Sequence, residues 1–191
     1  MAVETLRPSS GGDVTQLYYF DGSGHAPDVL HNWEQVDETT PDSDSTYVYM
    51  VNDNKYDLYN IPAPAGGGTI NFVKVYNVGK ASAGGAGHIG CRIKTEGDEY
   101  SGGDYIPTTS YVSHSNQWNT NPKVGGAWTW LQIAALQIGI YVEFFGSGEN
   151  GYVTQVYVEV DYTPAVAKPH TFSLDPRPGK RIKFHPNLKL G

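Results

Sequence analysis

Short segments in which apolar and polar residues alternate strictly, separated by clusters of Gly, Pro, Asn and Asp, recur along this chain and restrict it to a β-sandwich or barrel. In Ile138-Gly139-Ile140-Tyr141-Val142-Glu143-Phe144, residues Ile138, Ile140, Val142 and Phe144 share one face and Gly139, Tyr141 and Glu143 the other, because successive strand side chains point to opposite sides. After the loop 145–151, residues 154–162 place Val156, Val158 and Val160 inward and Gln155, Tyr157, Glu159 and Asp161 outward. The two segments read as an antiparallel hairpin. With 23 Gly and 14 Tyr in 191 residues, a helical bundle is excluded, since both residue types suit strands and turns better than helices.

Further strands follow the same logic. Residues 89–94 put Ile89, Cys91 and Ile93 on one face opposite Arg92 and Lys94, which makes Cys91 a small core residue and not a reactive thiol. Residues 46–51 and 70–78 are apolar on both faces, as expected of central strands or of a surface that another chain covers. Residues 15–20 and 105–112 are weaker strand candidates, the second interrupted by Pro107. One segment departs from the period of two. In 128–137, Trp130, Ile133, Leu136 and Gln137 recur at helical spacing, which predicts one or two helical turns capping an open end of the sandwich, with Trp128 and Trp130 as lid and core.

Charge divides the chain in two. Residues 1–164 hold 7 Lys and Arg against 19 Asp and Glu, whereas 165–191 hold Lys168, Arg177, Lys180, Arg181, Lys183 and Lys189 against Asp175 alone. The tail also carries Pro169, Pro176, Pro178 and Pro186 without sustained periodicity. The expected organisation is therefore a β domain over 1–164 and an extended basic arm over 165–191. The only strand-like piece of the arm is Arg181-Ile182-Lys183-Phe184. Lys180, Arg181 and Lys183 suit an anionic protein surface, and Ile182 and Phe184 offer apolar anchors on a neighbouring subunit. Nucleic acid is disfavoured as the partner, because only Phe172 and Phe184 are placed to stack and the acidic body repels the polymer. Cys91 is the only cysteine, no secretory leader opens the sequence, and no apolar run is long enough to span a bilayer. These features predict synthesis in the cytoplasm without membrane insertion.

Motifs for chemistry are sparse. The six His and one Cys show no short metal-ligand spacing, no G-x-S-x-G elbow is present, and the Gly-rich stretches at 66–68 and 84–87 lack a following helix and Lys-Ser/Thr. Glu143 and Glu159, outward on strands expected to be adjacent, are the one carboxylate pair a glycosidase would use, although they read first as solvated side chains on an exposed sheet face. The acidic stretch 37–45 supplies oxygen ligands for calcium, yet reads as a polar turn in which Asp42, Ser43 and Asp44 bond their own backbone. Exposed aromatic residues beside amides, Trp33, Trp118 and Tyr111 with Asn116 and Asn119, suit sugar stacking, or the rim of any sandwich.

Four stretches together resemble a module of tailed-phage, prophage and related viral structural proteins: Asn32-Trp33-Glu34-Gln35-Val36-Asp37-Glu38 leading into 41–48; Tyr56-Asp57-Leu58-Tyr59-Asn60 with Gly68-Thr69-Ile70-Asn71; Asn121-Pro122 with Trp128-Thr129-Trp130 and Ala135-Leu136-Gln137-Ile138-Gly139-Ile140; and Val153-Thr154-Gln155-Val156-Tyr157-Val158-Glu159-Val160. The resemblance spans about residues 5–164 and omits the arm. It implies a jelly-roll β-sandwich and a non-enzymatic role in the virion, as capsid decoration or a minor head or tail component, with no catalytic, cofactor or metal residues. The expected partners are further copies of the chain or other particle proteins, bound through the sandwich surface and the arm. The alternative is a carbohydrate-binding or receptor-binding module that uses Trp118, Tyr111 and Asn116 on a glycan receptor, with calcium as an optional cofactor.

Overall fold

The computed structural model describes residues 1–51, 54–83, 87–143 and 149–166. In chain order the strands are β1 (Ala2–Leu6), β2 (Ser10–Thr15), β3 (Tyr18–Phe20), β4 (Gly24–His25), β5 (Tyr47–Val51), β6 (Asn54–Asn60), β7 (Gly68–Ala81), β8 (His88–Thr95), β9 (Asp98–Tyr105), β10 (Val112–Trp118), β11 (Gln137–Glu143) and β12 (Asn150–Pro164). A 3₁₀ turn occupies Asn32–Gln35, and a short helix, α1, occupies Trp130–Ala134. The strands form two antiparallel sheets. One has seven strands in the order β10-β7-β12-β5-β3-β4 with β1 alongside β12, and the other has five in the order β2-β6-β11-β8-β9. The chain crosses between the sheets at most steps, which winds it as a jelly-roll-like sandwich.

The inward faces are those that alternation predicts. Ile138, Ile140 and Val142 of β11, Ile89, Cys91 and Ile93 of β8, and Val156, Val158 and Val160 of β12 are all fully buried in one core. Burying each such side chain contributes about 1.5–3 kcal/mol. Cys91 packs there as a small hydrophobe, and burial pushes its thiol up to about 12, out of the range in which a thiolate reacts. The two-sided strands are central. β7 lies between β10 and β12, and β5 between β12 and β3. Their outward rings pack among themselves, Tyr47 on Phe20 at 4.8 Å and Tyr76 on Tyr157 at 4.6 Å between ring centres.

Three expectations require correction. β11 and β12 are not a hairpin: β11 pairs with β6 and β8 in the five-stranded sheet, and β12 with β1, β5 and β7 in the other. A period of two states which face turns inward but not which strand lies alongside, and two inward faces bury each other as well across the sandwich as side by side. The segment 15–20 is split, with Thr15 closing β2 and Tyr18 opening β3 in different sheets. The break falls where the Asp57 carboxylate accepts the backbone N–H groups of Gln16 at 2.7 Å and Leu17 at 2.9 Å, removing them from any ladder. Finally, Tyr105 ends β9 and Val112 opens β10, so that 106–111 is a connection across Pro107 and not a strand.

The helical expectation holds over a shorter span. Thr129 caps α1 through a capping box, its side chain accepting from Gln132 N while the Gln132 side chain accepts from Thr129 N. Ile133 and Leu136 are buried beneath, Trp128 is 4% exposed, and Trp130 donates from Nε1 to Gly68 O at 2.9 Å. Both Trp side chains therefore close one end of the core. The tail residues expected to form the arm, Lys180, Arg181, Ile182, Lys183 and Phe184, lie outside the described residues.

Candidate functional site

The outward face of the five-stranded sheet is a grid set by strand register. Across β6, β11, β8 and β9, one row reads Tyr56, Tyr141, Gly90 and Asp104, the next Leu58, Gly139, Arg92 and Ser101, and the third Asn60, Gln137, Lys94 and Glu99. The same alternation that buries Ile138, Ile140 and Val142 turns Gln137, Gly139, Tyr141 and Glu143 out onto this grid. Gly90 has no side chain, and a Cβ there would stand 2.3 Å from the Tyr141 ring. The ring therefore covers the position that any other residue would occupy.

Arg92 organises the centre. Its guanidinium lies 4.0 Å from the ring centre of Tyr56 and 5.8 Å from that of Tyr141, within the range of cation–π attraction. Nη1 donates to Glu99 at 3.1 Å and Nη2 to Ser101 Oγ at 3.2 Å, while Tyr56 OH donates to Glu99 at 3.4 Å. Burial, then Asp104 and Glu143, push the Tyr141 hydroxyl up to about 12, so at neutral pH it stays a protonated donor. Around this cluster Asn54, Lys55, Tyr56, Arg92, Ser101, Tyr141 and Glu143 line an open depression of about 380 Å³.

A second depression, of about 270 Å³, lies further along β11 and is lined by Asp13, Lys94, Glu96, Gly97, Ala135 and Gln137. Lys94 Nζ pairs with Asp13 at 2.5 Å, and that hydrogen bond holds the Asp13 carboxyl below its ordinary range and the Lys94 ammonium above its own. Gln137 donates from Nε2 to Asp13 at 3.1 Å and to Asn60 at 3.0 Å, and accepts from Asp13 N at 3.2 Å. Two tyrosine rings, a guanidinium, amides and carboxylates on one sheet face can offer stacking together with many donors and acceptors.

The sequence-nominated site residues lie elsewhere and apart. Trp118 closes β10, packs half-buried against the core, and its carbonyl accepts from Trp128 Nε1 at 3.0 Å. Asn116 shares its inward face and accepts from Cys91 N at 3.3 Å. Tyr111 precedes the other end of β10, about 20 Å away along the strand, where it donates to Asp44 at 3.1 Å beneath Lys80. Trp33 donates to Leu30 O from the 3₁₀ turn, and Asn119 accepts from Gln117. These residues form no shared platform. Glu143 and Glu159 stand in different sheets and face opposite sides of the sandwich, Glu159 accepting from Tyr76 OH at 2.7 Å, so this pair flanks no cleft. The acidic stretch forms a polar turn: Asp42 accepts from Thr46 and Thr154, Glu38 from Thr46, and Ser43 takes a φ of 62°. Among the described residues no three His, Cys, Asp or Glu gather as a metal site.

No protein-family profile matches this chain, and no curated protein matches it. Solved structures do. The chain is similar to the carbohydrate-binding module TmCBM61 in complex with β-1,4-galactotriose, at 14% identity over 82% of this chain and 86% of that one, with a TM-score of 0.41. It is similar also to a family 29 carbohydrate-binding module from Piromyces equi, at 9% identity over 85% and 93%, with a TM-score of 0.39. A third match is the enzymatically active domain of tailspike protein 4 of bacteriophage CBA120, at 9% identity and a TM-score of 0.42 over 84% of this chain but 19% of that one.

Tyr56, Tyr141, Arg92 and Gln137 were not nominated together from sequence. The signal was half present: Tyr141 and Glu143 fall outward on one strand and Arg92 and Lys94 outward on another, but only register places those strands side by side.

Proposed function

We infer that the protein is a non-enzymatic carbohydrate-binding module that takes saccharide on the outward face of its five-stranded sheet. The observation that carries this reading is the pairing of Tyr56 with Tyr141 directly across β6 and β11, with Arg92 over both rings, in an open and polar depression. Aromatic faces cover the apolar faces of sugar rings, while Arg92, Lys55, Ser101 and Glu143 supply charged and polar partners for hydroxyl groups. Such a surface binds without chemistry.

The particle-assembly expectation receives no support from these matches, and its arm lies outside the described residues. A glycan array with the full chain tests the saccharide reading. Binding to at least one glycan, lost in Tyr56→Ala and Tyr141→Ala while both variants keep the wild-type circular dichroism spectrum, is the expected result. An array on which the wild-type protein binds nothing overturns it.

A further inference from the structure

We propose that the ligand of this face is a neutral, extended saccharide that lies in both depressions at once. This rests on the saccharide reading and adds a charge class and a length to it.

The charge class follows from what the cations already hold. Arg92 is engaged by Glu99 at 3.1 Å and Lys94 by Asp13. The two linings set Lys55, Arg92 and Lys94 against Asp13, Glu96 and Glu143, and Glu99 sits on Arg92 besides. A uronate or sulfate group would have to displace Glu99 or Asp13 from its partner. It would also enter the field of a body with 7 Lys and Arg against 19 Asp and Glu over residues 1–164, where like charges raise the cost of binding and slow encounter. A hydroxyl group meets neither obstacle, since it donates to the carboxylates and accepts from the cations with no change in net charge.

The length follows from strand geometry. Tyr141 and Glu143 line one depression and Gln137 the other. Tyr141 lies four residue steps along β11 from Gln137, about 14 Å, which is longer than one sugar ring. The position between them on β11 is Gly139, which has no side chain of its own and is buried beside the fully buried Leu58 of β6.

Calorimetric titration of the full chain tests this with mono- to hexasaccharides of the cello-, xylo-, manno- and galacto- series and with oligogalacturonates, each at low and high salt. At least one neutral series should gain about tenfold or more in affinity from disaccharide to hexasaccharide, and the uronates should bind more weakly than it does. Uronates that bind more tightly than every neutral series, or a disaccharide that binds as well as its hexasaccharide, overturn the proposal while leaving the saccharide reading intact. No binding in any series removes both. Gln137→Ala and Lys94→Ala each remove one contact of the second depression. Either one, folded, should weaken the hexasaccharide about tenfold and leave the disaccharide unchanged; equal losses for both ligands would contradict simultaneous occupancy.

Discussion

The Tyr141 ring lies on the backbone of Gly90, its cross-strand partner: a Cβ on Gly90 would stand 2.3 Å from Tyr141 Cε1 and 2.7 Å from Cζ. Gly90→Ala therefore expels the ring from its place on β8. Because the ring faces solvent and can swing aside, the melting temperature should stay within a few degrees of wild type. Saccharide affinity should fall about tenfold, as measured by calorimetry. Unchanged affinity would mean that the position of Tyr141 does not matter.

Asp57 is fully buried, and its carboxylate accepts from Gln16 N, Leu17 N, Asn32 Nδ2 and Tyr59 OH, at 2.7, 2.9, 2.7 and 3.0 Å. Asp57→Asn puts an NH₂ group among donors. Asn32 cannot flip to receive it without losing its bond to Leu17 O. The expected cost is about 2–4 kcal/mol, a melting temperature roughly 5–15 °C lower by scanning calorimetry.

Glu38 supplies a pH dependence. Burial above all, with Asp42 and Asp37 nearby, raises its carboxyl to about 7, although the bond from Thr46 opposes the shift. A proton held more tightly in the folded than in the unfolded state stabilises the fold fully below the unfolded value, and that contribution is lost as pH rises from about 4.5 through about 7. The melting temperature should decline over that window, and Glu38→Gln should flatten the decline. Asp13, Asp28 and Asp44 are lowered and act in the opposite direction, at more acid pH. His31, raised by its bond to Asp28, adds to the decline, and His114, lowered by burial, opposes it. The difference between wild type and Glu38→Gln isolates the glutamate.

Trp118 separates the proposed site from the one expected from sequence. It packs against the core and lines neither depression. Trp118→Ala should cost about 1–3 kcal/mol of stability and leave saccharide affinity within twofold of wild type, and a saturating saccharide should leave Trp emission unchanged. Ligand-dependent quenching that disappears in Trp118→Ala would return the site to β10.

Local periodicity alone determined the all-β class, the inward residues of β8, β11 and β12, the place of Cys91 in the core and, by a switch to helical spacing, the short helix that caps one end. Each of these depends on side chains a few residues apart, whose relation is fixed by the backbone repeat. Tertiary structure decided who stands beside whom. It sent β11 and β12 to different sheets, turned Glu143 and Glu159 to opposite sides, carried Trp118 and Asn116 inward, and brought Tyr56 from β6 against Tyr141 and Arg92. A period of two specifies the facing of a strand and is indifferent to its neighbour, whereas a binding face on a sheet is made of neighbours. Strand order rests on contacts distant in sequence, between residues 56, 92 and 141 here, and no local pattern encodes them.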